Sequence, residues 1–168
     1  DYYYRAHPAD VRRLHELADG FHEAYEAVAD AEGLAALATQ LVPEARRMAF
    51  LPALFSPALM LIGERTVYQF MSWLAPDDYN GGLWQFYEQN GQPLFLSPAT
   101  DKRFRLFCET NGYVGEVSAE AAGIIATLFA LSHLSFQHEA DQLSEAYLRL
   151  YNFAADHPEA GEIFMDID

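Results

Sequence analysis

The sequence predicts an α+β fold: a single compact domain in which a small antiparallel β-meander packs with several helices, with an extra helix at the N-terminus. Three observations carry this expectation. Both ends of the chain place apolar residues at the three-and-four spacing of helices that bury one face. The middle, residues 83–118, changes to short aromatic runs separated by turn signals, two of them Asn-Gly. A chain of 168 residues that is 51% hydrophobic and 14% aromatic can also build one real core.

Each element has its own justification. Over residues 10–30, Leu14, Leu17, Ala18, Phe21, Tyr25 and Val28 make one apolar helix face, and Gly33 is the stop. A second short helix is expected over residues 34–41. Pro43 suits the first turn of "PEARRMAFLPALF", which Pro52 should kink or end. Pro57 opens "PALMLIGERTVYQFMSWL", a mostly buried helix through Leu59, Ile62, Val67, Phe70, Met71 and Leu74, and Pro76 ends it. The strands of the meander are "LWQFYE", "PLFLSP", "RFRLFCE" and "YVGEVS". Asn90-Gly91, residues 99–102 and Asn111-Gly112 turn between them. Ser118 caps the helix "AEAAGIIATLFALSHLSF", and Glu120 lies in its first turn, where a carboxylate suits the helix dipole. A long helix over residues 139–155 and a short one after Pro158 follow.

The charge balance narrows the function. A formal net charge of -15, from 25 acids against 10 Lys and Arg, opposes direct binding to a phosphate backbone. It fits an acidic protein in solution, or one that meets the basic surface of a DNA-handling enzyme. The charge is uneven: residues 139–168 carry eight acids and one base, Arg149. No apolar run reaches the roughly 20 residues of a membrane helix, and residues 121–131 come nearest. The N-terminal residues lack the charged-then-apolar pattern of a secretory signal. The one Cys allows no internal disulfide, so a reducing, cytoplasmic setting is expected.

Chemistry-bearing patterns are sparse. His15, Asp19, His22 and Glu26 share one helical stripe and are metal-ligand types, but the same stripe is the solvated face opposite Leu14, Leu17 and Phe21. No second ligand cluster supports it, so neither a metal nor a cofactor is expected. His133 reads as a core or boundary residue, His138 as part of a helix connection and His157 as a capping or loop residue. Cys108 alternates with Phe104 and Leu106 and reads as a small buried hydrophobe. Trp84, Phe86, Tyr87, Phe95 and Phe107 read as the core face of the sheet rather than as a ligand surface. Nucleophile-elbow, P-loop and dinucleotide fingerprints are missing. Asp77 and Asp78 are adjacent and diverge, and Gly81-Gly82 lack the Lys and helix of a phosphate site. The residues by themselves point to no enzyme.

Five segments in order resemble the ArdB/KlcA antirestriction family: "RRMAFLPALF", "DDYNGGLWQFYEQNG", "LFLSPA", "NGYVGEVSAEAAGIIATLFALSHLS" and "FAADHPEAGEIFMDID". The resemblance covers residues 41–168 and leaves 1–40 as an added N-terminal helical element. It implies a compact α+β protein of plasmids or other mobile elements that relieves type I restriction-modification without catalysis and is not a simple DNA mimic. The partner it implies is a type I restriction-modification complex. A CRISPR effector or another defence nuclease is the alternative, ahead of an acidic DNA mimic or a metal-dependent enzyme. Under this reading Asp77, Asp78, Tyr79, Glu116 and Glu120 are the candidate partner-binding residues, with Asp141 and Glu145 on the acidic end in support. One departure stands out. After "EQNGQ" this chain has Pro93 and Leu94 where the family pattern has Gly and Phe, so the strand-to-strand turn is altered.

Overall fold

A computed structural model describes residues 39–168 of the chain. The helix expected over 10–30, with its His15, Asp19, His22 and Glu26 stripe, lies outside the described residues. The elements are β1 (Thr39–Leu41), a 3-10 turn (Glu44–Arg46), α1 (Arg47–Phe55), α2 (Met60–Leu74), β2 (Trp84–Gln89), β3 (Gln92–Pro98), β4 (Phe104–Cys108), β5 (Tyr113–Val117), α3 (Ala119–Gln137), α4 (Asp141–Ala155) and α5 (Ala160–Ile167). The strands make two antiparallel sheets, β1-β2-β3 and the hairpin β4-β5. The fold is α+β, as the sequence predicts.

The helix expected over 34–41 is not formed at its end. Thr39, Gln40 and Leu41 are a strand opposite Gln89, Glu88 and Tyr87. For three residues the ladder on β2 outweighs any local helix preference. Residues 39 and 40 therefore already belong to the sheet. The Asn90-Gly91 turn behaves as its sequence requires. With φ of 53° and 74° both residues are left-handed, which is the two-residue turn whose twist matches the strands.

The four meander strands are present, but β3 and β4 do not pair. The reason lies on α3. The Thr127 hydroxyl accepts from the Leu96 N–H and donates to the Leu96 carbonyl, both at 3.4 Å. A Cβ at Gly123 would stand 2.3 Å from the Ser97 Cβ and 2.4 Å from the Leu96 carbonyl oxygen. A helix thus occupies the edge of β3 that a fourth strand would need. Fourteen of the nineteen α3 residues are buried, with α2, α4, α5 and both sheets packed around them. This explains a helix long and apolar enough to cross a membrane: 78% of its apolar window is inside the fold. Ser118 caps it, accepting from the Ala121 N–H at 3.1 Å.

The first two helices refine the expectations. Pro52 sits inside α1, which runs on to Phe55. The lost bond is to the carbonyl of Met48, a residue 93% exposed, where water can replace it. Gln142 of α4 donates to the Pro52 and Ala53 carbonyls at 3.0 and 2.6 Å, satisfying the helix end. In α2, Val67, Phe70, Met71 and Leu74 are buried as expected, but Ile62 is 45% exposed. The buried stripe runs through Gly63 and Thr66 instead. Gly63 is needed there, because a Cβ would meet the Phe55 ring at 2.3 Å.

Gly123→Ala drives a methyl into the β3 backbone. It should cost roughly 1–3 kcal/mol, read as a fall in Tm.

Candidate interaction surface

The segment between α2 and β2 is anchored at its start and end and open in its middle. Asp78 Oδ2 accepts the Arg105 N–H at 2.8 Å and lies 3.7 Å from Arg105 Nε. Lys102 donates to the Asp78 backbone carbonyl. Asp78 therefore closes the outer edge of β4. The Arg105 backbone bond, with the nearby positive charges, holds its carboxyl below the usual carboxylate range. Tyr79 accepts from Trp84 Nε1 at 3.0 Å, and Tyr68 packs on Trp84 with ring centres 5.0 Å apart. Burial, then the Glu64 carboxylate, pushes the Tyr68 hydroxyl well up. Between these anchors Gly81 and Gly82 take φ of 86° and 111°, angles that favour glycine. Asp77, Asn80 and Leu83 face solvent, Leu83 at 84% exposure.

The β4-β5 hairpin lies beside this segment. Its inner face buries Phe104, Leu106, Cys108, Tyr113 and Val117. Its outer face pairs Arg105 with Glu116 and Phe107 with Val114. Phe107, expected in the core, is 46% exposed, because strand alternation puts it with Arg105. Glu116 is 3.6 Å from Arg103 Nε, and Arg103 also lies 3.9 Å from Glu159. Glu159 in turn accepts from the Ser118 N–H at 2.9 Å and from its hydroxyl, extending the cap of α3.

Glu120 meets His157 Nε2 at 2.6 Å, and His157 Nδ1 accepts the Glu159 N–H at 3.0 Å. That backbone donor makes Nδ1 the acceptor, so Nε2 carries the proton and donates to Glu120. The imidazole is buried and ties the link between α4 and α5 to the start of α3. His157 is thus a capping residue in a stronger sense than a loop position suggests. His138 ends α3, in the connection to α4, and His133 is half-buried beside Phe70, with ring centres 5.8 Å apart.

Of the seven residues singled out in the sequence, Asp77, Asp78, Tyr79, Glu116 and Glu120 fall along one belt. It runs from the Asp78–Arg105 pair through Arg103 to the Glu120–His157 pair. Asp78, Tyr79, Glu116 and Glu120 have partners within the chain, while Asp77 and Glu116 are exposed. Asp141 and Glu145 are exposed on α4, apart from that belt. Arg149, one turn beyond Glu145, donates to the Pro93 carbonyl at 3.3 Å. Pro93 is opposite Glu88, whereas the belt adjoins Trp84 opposite Pro98. Five strand residues separate the two ends, roughly 17 Å. The altered residues are absorbed by the fold: Leu94 is buried, and Pro93 lies at a bulge near the strand start, where proline is tolerated.

Sequence reasoning misses Arg103, Arg105 and Glu159 as organisers of the belt. Their partners lie 13 to 41 residues away, so no local pattern marks them. The exposed Phe107–Val114 pair is readable from alternation. Among the described residues, no group of three or more His, Cys, Asp or Glu could hold a metal ion.

Comparisons with known proteins agree on one family. The antirestriction protein family model matches residues 77–168. An antirestriction protein KlcA of Escherichia coli is 43% identical over 132 residues, spanning 76% of this chain and 92% of its own length. The uncharacterised YafX of Escherichia coli K12 is 37% identical over 131 residues, spanning 76% and 85%. A solved structure from work on KlcA and ArdB superposes with a TM-score of 0.70 at 42% identity, over 78% of this chain and 94% of that one. That work describes a novel fold and antirestriction activity against type I DNA restriction systems in vivo but not in vitro.

The Asp78 anchor has a measurable signature. Its folded-state pKa is depressed, so the stabilisation is present above the ordinary value of 3.8 and is lost as pH falls through the folded value. Asp78→Asn should melt below wild type at pH 7, with the gap closing under acid conditions in parallel thermal melts.

Proposed function

This chain belongs to the antirestriction protein family, and we propose that it relieves type I restriction in the cytoplasm by binding a protein of the restriction complex. The observation that carries the reading is the match over residues 77–168, which takes in the whole belt and α3, α4 and α5. No chemistry of its own is invoked. The exposed Asp77 and Leu83 supply first contacts, on a belt shaped by Asp78, Tyr79, Glu116 and Glu120. Asp141 and Glu145 add a second acidic patch. A net charge of -15 would steer this surface toward basic partners and speed the encounter at low salt.

One finding on the solved relatives shapes this reading. Activity described in vivo but not in vitro favours a target that is complete only in cells, such as an assembled complex with a further cellular component. A CRISPR effector or another defence nuclease is the alternative. Two sequence features motivate it: the altered Pro93 and Leu94, which are both taken up by the fold, and the N-terminal helical element, which lies outside the described residues.

The test is plating of unmodified phage on cells with a type I system, with and without this chain, beside a CRISPR-immune strain. Relief on the restricting host, toward the efficiency on a restriction-free host, is the expected outcome. Relief on the CRISPR strain alone would transfer the function to that target. No relief on either, with the protein present in the cells, would overturn the reading.

A further inference from the structure

Asp166, near the end of α5, is a carboxyl with no exposure at all. Among the described residues, neither of its oxygens meets an N–H or O–H donor, and the weak Cys108 thiol is the one donor facing them. Asn111 Nδ2 donates to the backbone carbonyls of Met165 and Asp166, at 3.2 and 2.5 Å, and so holds the helix end but not the side chain. An orphaned buried carboxyl is tolerable when neutral and costly when charged.

Its surroundings offer little help to the charge. From β4 comes the Cys108 thiol, a weak donor already shared with Thr110 Oγ1 at 3.1 Å. From α5 itself comes Glu162, a like charge whose carboxylate accepts from the Tyr113 hydroxyl of β5. Glu159 adds negative charge around Tyr113. On the side of α3 and of the link out of α4, Glu120 and His157 are engaged with each other. From α4, Tyr151 packs on the Phe164 ring of α5 beside Tyr147, and Ile163 and Ile167 fill the rest of the buried face. Burial pushes the Asp166 carboxyl up to about 7; Glu162 adds to the rise and the Cys108 thiol opposes it.

From this cluster we infer that α5 is a proton-controlled flap, docked while Asp166 is neutral and released from the β4-β5 hairpin and α3 when Asp166 ionises. Release hydrates the carboxylate and lets water screen it from Glu162 on the same helix. It also bares Cys108 and the Tyr113–Gly115 face, where a Cβ at Gly115 would stand 2.1 Å from the Tyr113 hydroxyl. An eight-residue helix has little stability of its own, so a freed α5 melts. The sign follows from the raised folded-state value. Docking is strongest below the ordinary 3.8, weakens as pH rises, and has lost this contribution above about 7.

Cys108 is the chain's one cysteine and is buried, so it reports on the flap. The experiment follows its reaction with a disulfide reagent from pH 4 to 8 in the full chain, divided at each pH by the rate in the urea-unfolded chain. Wild type should lose protection by up to about tenfold per pH unit between the ordinary 3.8 and about 7, the slope of one released proton, and level off above about 7, while Asp166→Asn stays level throughout. Equal slopes in the two proteins, or a level wild type, would overturn the proposal. If the variant does not fold, hydrogen exchange in wild type decides. Loss of α5 amide protection between pH 5 and 7, with α3 unchanged, supports the flap. Constant α5 protection after correction for intrinsic rates refutes it.

Discussion

The contact between α3 and the free edge of β3 is the constraint on which the rest of the structure depends. Gly123 lets the helix backbone approach Leu96 and Ser97, and Thr127 supplies the donor and acceptor that a neighbouring strand would otherwise provide. With that edge closed, the chain cannot extend the first sheet beyond β3. It forms a separate β4-β5 hairpin instead, and α3 packs against that too. A helix this enclosed must be apolar on nearly every side, as α3 is. Its polar start then becomes the place where distant parts of the chain meet.

That meeting point governs how the charges of an acidic protein are used. Exposed ion pairs contribute little to stability singly. The belt, however, joins carboxylates to backbone and buried groups: Asp78 to the Arg105 N–H, Glu159 to the Ser118 N–H, Glu120 to the buried His157. These acids hold the loop after α2, the hairpin and the start of α3 in one geometry. Asp77, Asp141 and Glu145 remain outward. The belt is thereby a fixed platform, and under the proposed function the outward groups it presents would lose little freedom on association.

Much of this is legible in the sequence where the cause is local. Asn90-Gly91 has the left-handed angles that its turn requires, Ser118 caps α3, and Cys108 follows the alternation of Phe104 and Leu106 into the core. The misread features have distant causes. β1 exists because β2 lies beside it, not because of residues 39–41 themselves. The split into two sheets depends on Thr127, 31 residues from Leu96. Ile62 loses its place in the core because Phe55 needs the space over Gly63. For the candidate surface, the acids are readable by type. Which of them are committed to the fold is not, since Arg105 lies 27 residues from Asp78 and His157 lies 37 from Glu120.

The division of labour among these acids is the central claim. It is tested by measuring restriction relief in cells and Tm in solution for two sets of variants. One set combines Asp77→Asn, Asp141→Asn and Glu145→Gln; the other takes Asp78→Asn and Glu120→Gln. The account predicts lost relief with Tm nearly unchanged in the first set, and relief that falls only as far as Tm falls in the second. Full relief in the first set, together with lost relief at unchanged Tm in the second, would contradict it.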